Sequence, residues 1–279
     1  MMRRWGSSID AARTLMVRGM VVALLLATPV WAAEPPSLVK ARTLYNAGDM
    51  DGALLAAAVA RRMPASADSA ALIIARCHLE RYRQKAEPSD LTDAREALSS
   101  IHPAALSQRD QLDLLVGLGQ SLYLGEQFGA AGELFDTALT RTVALEEKDR
   151  LQLLDWWATA LDREGQTRPP DRRAAVYERI TQRMEEELRR DPSSRVANYW
   201  LAAAARGAGD VERAWDVAVA GWVRSSLTRD VSQALRDDLD RLVTQAIIPE
   251  RVRTRPAREQ AEAQTALRAE WELVKSQWK

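Results

Sequence analysis

The sequence predicts an all-α protein, and three observations support this fold class. Alanine, leucine, arginine and glutamate, which all favour helix, dominate residues 37–279. Apolar residues recur at spacings of three and four, which is the period of an amphipathic helix. Glycine and proline fall between these segments and divide the chain into about a dozen predicted helices joined by short loops.

The first 33 residues have the pattern of a secretory signal peptide. Four arginines precede an apolar run that starts at Met20, and small residues at Val30 and Ala32 fit a cleavage site near Ala32 or Ala33. The run from residue 20 to residue 33 has 14 residues, which is short for a spanning helix of about 20. We therefore expect a periplasmic or secreted protein with no permanent membrane span; an uncleaved N-terminal membrane anchor is the alternative.

Charge and composition exclude several functional classes. The chain has 39 basic and 39 acidic residues, and removal of residues 1–32 leaves 35 and 38. This balance disfavours a nucleic-acid partner, which selects for a basic excess. The single cysteine, Cys77, excludes an intramolecular disulfide and a thiolate-rich zinc site. With only two histidines, His78 and His102, we expect no metal centre.

Three stretches of the chain share a pattern of small and large residues. The clearest is Leu115-x2-Leu118-Gly119-x2-Leu122, followed by Ala131-x3-Phe135-x2-Ala138. Residues 41–64 and 201–221 carry related patterns, with Gly-Asp pairs at 48–49 and 209–210. These stretches resemble tetratricopeptide repeats, in which two helices of a 34-residue unit pack through small residues.

The resemblance implies an α-α superhelix of about five helical hairpins over residues 34–226. The small residue of each first helix recurs at spacings of 34, 44, 39 and 44, so most repeats need insertions; the markers are Ala41, Ala75, Gly119, Ala158 and Ala202. Residues 82–89 form a loop longer than the pattern in this interpretation. Gly48 and Gly209 are expected to take positive φ where their helices end. An irregular helical bundle is the alternative.

Beyond residue 226 the repeat pattern stops. Residues 227–279 predict helices near 231–246, 249–253 and 256–278, and the last has an apolar stripe made of Leu267, Trp271, Val274 and Trp278. A helical solenoid needs terminal elements that cover its last repeat, so these helices are expected to form a cap. The alternative is a docking helix that presents Trp271 and Trp278 to a partner or to a second copy.

The sequence carries no recognisable catalytic motif, and we expect neither enzyme activity nor a cofactor. Adjacent Cys77 and His78 point about 100° apart on a helix, which makes them a poor catalytic pair. The charge runs at 185–187 and 237–240 have neighbouring arginines and are typical of solvated helix faces. Seven tryptophans follow residue 155, and core filling explains them better than a recognition surface does.

The resemblance also implies a binding surface, because the first helices of tetratricopeptide hairpins line a concave face. Carried over by register, the partner-binding positions are Arg42, Tyr45, Asn46, Arg76, Glu80, Gln120, Tyr123, Asp155, Asp162, Tyr199 and Arg206. Two arginines and two tyrosines near one end predict an acidic peptide or a C-terminal carboxylate as the ligand.

These observations predict an interaction scaffold of the bacterial cell envelope that binds a protein or peptide partner. A second interpretation is a structural or assembly subunit, in which the tryptophan-rich half forms a homodimer or complex interface. A third is an envelope glycan-binding protein or enzyme, which would need a polar pocket near Trp156, Asp155 and Asp162.

Overall fold

The computed structural model describes residues 34–141, 145–226 and 233–278, and every regular element in these ranges is helical. The all-α prediction is therefore confirmed. The elements are α1 (Pro36–Asn46), α2 (Met50–Arg61), α3 (Ala67–Lys85), α4 (Pro88–Ser99), α5 (Gln108–Leu124), α6 (Phe128–Leu139), α7 (Glu147–Thr167), α8 (Pro170–Arg190), α9 (Arg195–Gly207), α10 (Val211–Ser225), α11 (Gln233–Leu242), α12 (Ile248–Arg253) and α13 (Gln260–Gln277). The predicted signal peptide lies outside the described residues. None of the described helices is long and apolar enough to cross a membrane.

The first ten helices pair in sequence as five hairpins, α1–α2 through α9–α10. Each second helix also packs on the first helix of the next hairpin, and first helices contact one another, as α1 with α3, α3 with α5 and α7 with α9. Gly48 and Gly209 end α1 and α9 with φ of 82° and 90°, as predicted. The predicted long loop at 82–89 is wrong: α3 continues to Lys85, and a left-handed Ala86 turns the chain directly into α4.

Small residues allow these helices to approach closely. The alanines at 41, 75, 158 and 202 are fully buried, which agrees with the predicted register. At Gly119, a Cβ atom would lie 2.5 Å from the Phe135 ring, so α5 and α6 can meet only because this side chain is absent.

Cys77 is also fully buried, and this burial raises the pKa of its thiol to about 12.

The C-terminal helices complete the core of the last three hairpins. A single hydrophobic cluster extends from Leu112 in α5 to Trp271 in α13. Trp271 is 0% exposed and packs edge-on against Trp215 and Trp222, at ring-centroid distances of 5.9 and 5.3 Å. Its indole N–H donates to Asp240 at 2.8 Å. The helix therefore packs its own tryptophan against α10.

The predicted helix at 231–246 is not a separate element. From the first described residue after the gap, Gln233, α11 continues through a π-helical segment, Val243–Ile247, directly into α12. Pro249 explains this segment, because proline has no N–H to donate to the turn before it. The start of the predicted helix at residue 231 lies outside the described residues.

We expect Gly207→Ala to destabilise the protein by about 1–3 kcal/mol, as overpacked cores do. The new Cβ atom would lie 2.2 Å from the buried Tyr177 ring, which α8 inserts between Gly207 in α9 and Gly165 in α7. Urea unfolding measures the loss. Gly125→Ala is the matched control, since its Cβ atom mainly displaces the flexible end of Arg95, and it should cost less than about 0.5 kcal/mol. Equal losses in the two variants would contradict this packing.

Candidate functional site

The candidate site is a groove of about 490 Å³ between the first helices of the first four hairpins and α6. It combines aromatic, charged and amide side chains. The lining residues are Tyr45, Arg76, Leu79, Glu80, Arg83, Gln120, Tyr123, Leu124, Phe135, Gln152, Trp156 and Thr159.

Aromatic rings form one wall and the floor of the groove. Phe135 is 1% exposed and packs against Trp156 at a centroid distance of 6.2 Å. Tyr123 meets Phe128 edge-on at 5.3 Å. Such rings bury large apolar area and offer their faces and edges to a ligand. The floor depends on Gly119, because only a missing side chain there leaves room for the Phe135 ring.

Arg42 does not line the groove and is held by carboxylates of its own chain. Its Nη2 atom donates to both carboxylate oxygens of Asp110 at 2.9 Å, and its Nε atom donates to Glu34 at 3.1 Å. Asp110 is buried and also accepts a bond of 2.7 Å from Ser69. Since charged groups are rarely buried without a partner, this contact has a structural purpose: it ties α1 and α3 to α5.

Arg76 lines the groove, but its charge is also compensated. Its Nη1 atom donates to Asp113 at 2.9 Å, and its guanidinium lies 4.5 Å from the centre of the Tyr45 ring. A cation over an aromatic face is an attractive contact that orders both groups. Arg76 therefore joins α1, α3 and α5 and places Tyr45 at the groove rim.

Arg83 and Glu80 form a second pair inside the groove. Two bonds of 2.8 and 2.6 Å join the guanidinium to both oxygens of the carboxylate, and Gln84 donates to Glu80 at 2.7 Å. The hydrogen bonds from Arg83 lower the pKa of Glu80, outweighing the effect of partial burial. Glu80 is therefore an anion at neutral pH, and it accepts hydrogen bonds rather than supplying a proton.

The predicted positions divide into two sets. Tyr45, Arg76, Glu80, Gln120 and Tyr123 come together in the groove. The remaining six do not line it: Arg42, Asn46, Asp155, Asp162, Tyr199 and Arg206.

Several of that second set are engaged within the C-terminal half. Asp155 accepts the indole N–H of Trp200 at 2.7 Å, and the carboxylate of Asp162 accepts the Tyr177 hydroxyl at 2.9 Å. The guanidinium of Arg206 donates twice to one carboxylate oxygen of Glu250, at 2.9 and 2.6 Å, which joins α9 to α12. Tyr199 packs edge-on against Trp200. The three hydrogen-bonded contacts are structural ties between helices, whereas Tyr199 and Trp200 are neighbours within α9.

The docking interpretation of the last helix needs correction at Trp271, whose ring lies in the core of its own chain. Trp278 is 47% exposed, but its backbone carbonyl accepts bonds of 3.0 Å from Trp222 and Arg236. The apolar stripe in α13 is therefore directed mainly inwards, because it completes the tryptophan cluster with α10.

Seven lining residues were not among the predicted partner-binding positions: Leu79, Arg83, Leu124, Phe135, Gln152, Trp156 and Thr159. Leu79 and Arg83 continue the α3 row of Arg76 and Glu80 at helical spacing, so that row could have been extended one turn further. Gln152 lies three residues before the predicted Asp155 in α7, so extending that row by one turn would also have included it.

One cluster in the described part of the chain has the spacing of metal ligands: His78, Asp90 and Asp93. The Nδ1 atom of His78 lies 2.8 Å from Asp90 and 3.9 Å from Asp93. The Nε atom of Arg81 lies 3.4 Å from the same oxygen of Asp90, so a positive charge already stands beside the buried carboxylate. These four side chains therefore form a polar network, in which His78 and Arg81 of α3 contact the carboxylates of α4.

The chain matches no protein-family model, and comparisons with curated proteins and with solved structures give no significant match.

We expect the pKa of Glu80, measured by NMR titration, to lie below its ordinary value, and Arg83→Ala to raise it. The hydrogen bonds from Arg83 favour the ionised form, so their stabilising effect is present above the unfolded pKa and is lost as pH falls through the folded pKa. Arg163→Ala is the control, since Arg163 is exposed on α7 and is not a groove residue. An unchanged pKa of Glu80 in Arg83→Ala would refute the pairing.

Proposed function

We propose that this chain is an exported tetratricopeptide-type helical-repeat protein that binds a protein or peptide partner in the cell envelope. The groove over α1, α3, α5, α6 and α7 is the observation that carries the proposal. It brings side chains from four successive hairpins to one surface, and its volume lies in the range of ligand-binding clefts.

The helix arrangement supports the repeat class. Five hairpins follow one another, each packs on the next, and the small residue of every first helix is buried. Each of these properties is expected of stacked repeats, which bury a continuous core only through their neighbours.

The charges of the groove favour a mainly neutral partner segment. Asp113 compensates Arg76, and Glu80 compensates Arg83; Arg42, which lies outside the groove, is compensated by Asp110. An acidic peptide would have to displace these carboxylates or share their arginines. An apolar or aromatic side chain of the partner fits better beside Tyr123 and Trp156. The side-chain amides of Gln120 and Gln152 can form hydrogen bonds with the partner backbone.

The competing functions have weaker support. A general acid needs a carboxyl pKa raised towards neutrality, whereas the pKa of Glu80 in the groove is lowered. Asp155 and Asp162, which a glycan or catalytic pocket would use, do not line the groove. A tryptophan-based assembly surface lacks its main element, because five tryptophans are buried: Trp157, Trp200, Trp215, Trp222 and Trp271.

Export is proposed from the N-terminal segment alone. The arginines, the apolar run of residues 20–33 and the small residues before Ala33 support cleavage near that point.

Site-specific crosslinking tests the groove. We expect a photoreactive phenylalanine at Gln152, which is exposed in the groove, to form a discrete adduct with an envelope protein. The same group at Gln182, an exposed glutamine on α8 that is not a groove residue, should not form that adduct. Adducts of equal yield at both positions, or none at Gln152, would count against the proposal.

Affinity for the captured partner then tests the aromatic wall. We expect Trp156→Ala to weaken binding more than tenfold, because partly buried tryptophans contribute strongly to interfaces. Arg163→Ala on the same helix should leave affinity unchanged. Calorimetry measures both variants, and urea unfolding checks that each retains its fold.

A further inference from the structure

The outward face of α2 carries a row with opposite charges at its two ends. Asp51, Leu55, Ala58 and Arg62 follow one another at spacings of 4, 3 and 4, so they share one side of the helix. All four are exposed, whereas the other side buries the alanines at 53, 56, 57 and 60.

The apolar part of this row is unusually open. Leu55 is 74% exposed, the largest value among the exposed large hydrophobic residues in the described chain. Val59, one turn further along α2, is 53% exposed, and Met63, just beyond the end of the helix, is 36% exposed. A single exposed leucine is ordinary, but an apolar stripe on one helix, rimmed by charges, is typical of an interaction surface.

The order of the residues makes the face complementary to itself. In an antiparallel pair of α2 helices related by a twofold axis near residues 56 and 57, Asp51 faces Arg62 of the second copy. The same axis places Leu55 opposite Ala58 and Leu54 opposite Val59. A twofold interface requires such reciprocal pairs, since both copies use one patch. A parallel pair would instead place like charges together.

We propose that the α2 face is the interface of a homodimer, with a second copy of this chain as its occupant. The small side chain of Ala58 leaves room for Leu55 of the second copy, and the charge pairs close both ends of the contact. Asp51 is available for this role, because its side chain is 87% exposed and its bond to Arg81 is long, at 3.5 Å. The inference is independent of the groove and goes beyond the proposed function.

The size of the face sets the expected strength. The face is formed by one helix of 12 residues, and interfaces at the small end of the size range are typical of weak, transient association. We therefore expect association with a Kd on the order of 10 µM to 100 µM, and a dependence on salt from the two charge pairs.

Charge reversal tests the pairing, and sedimentation equilibrium measures the self-association of each variant. The exported form of the protein is used, and mass spectrometry determines its N-terminus. We expect Asp51→Arg and Arg62→Asp each to weaken self-association at least tenfold, because like charges then meet at both ends. An equimolar mixture of the two variants should associate again, since two arginines then face two aspartates. The double variant should form homodimers as the unmodified chain does.

The control is Leu273→Asp, which alters a 55% exposed leucine on α13 and should leave association unchanged. A monomer at 200 µM would overturn the proposal and would leave the α2 face to another protein or to residues 1–33. A dimer that is insensitive to both reversals, or that Leu273→Asp disrupts, would also overturn it by placing the interface elsewhere.

Discussion

The fit of large side chains onto glycines is the constraint on which the central part of this protein depends. Phe135 occupies the space over Gly119, and Leu161 occupies the space over Gly132. Tyr177 lies against both Gly165 and Gly207, so each helix from α5 to α9 meets the next through such a contact. Because a Cβ atom at any of these glycines would fall within 3 Å of its neighbour, the helix separations depend on side chains that are absent.

The groove follows from this packing together with charge pairs between distant parts of the chain. Gly119 lets the Phe135 ring reach the floor of the groove, where Trp156 packs against it. Arg42 and Arg76 bind Asp110 and Asp113, so the first and second hairpins are held against the third. The arginines that seemed the best ligand-binding groups from their register are thus part of the framework that gives the groove its walls.

Local patterns in the sequence were sufficient for the helices, the hairpin order and the positive φ of Gly48 and Gly209. They were also sufficient for five of the twelve groove residues, because positions such as Arg76 and Glu80 share one face of their helix. They failed where a contact joins remote residues: Arg42 and Asp110 are 68 positions apart, and nothing in either local pattern indicates the other. Gln152 was missed although it lies only three residues before the predicted Asp155, because the predicted row in α7 was begun one turn too late.

By itself, the sequence determined the helical class, the glycines that end α1 and α9, and the faces that are buried, because periodicity and helix-ending residues act over a few positions. Only the tertiary structure decided which charges are free and which tryptophans are accessible. Trp271 and Trp278 lie on one predicted stripe, yet one ring is in the core and the other is half-exposed. The reason is physical: the burial and pairing of a side chain are properties of the helices packed around it, and their arrangement depends on the whole chain.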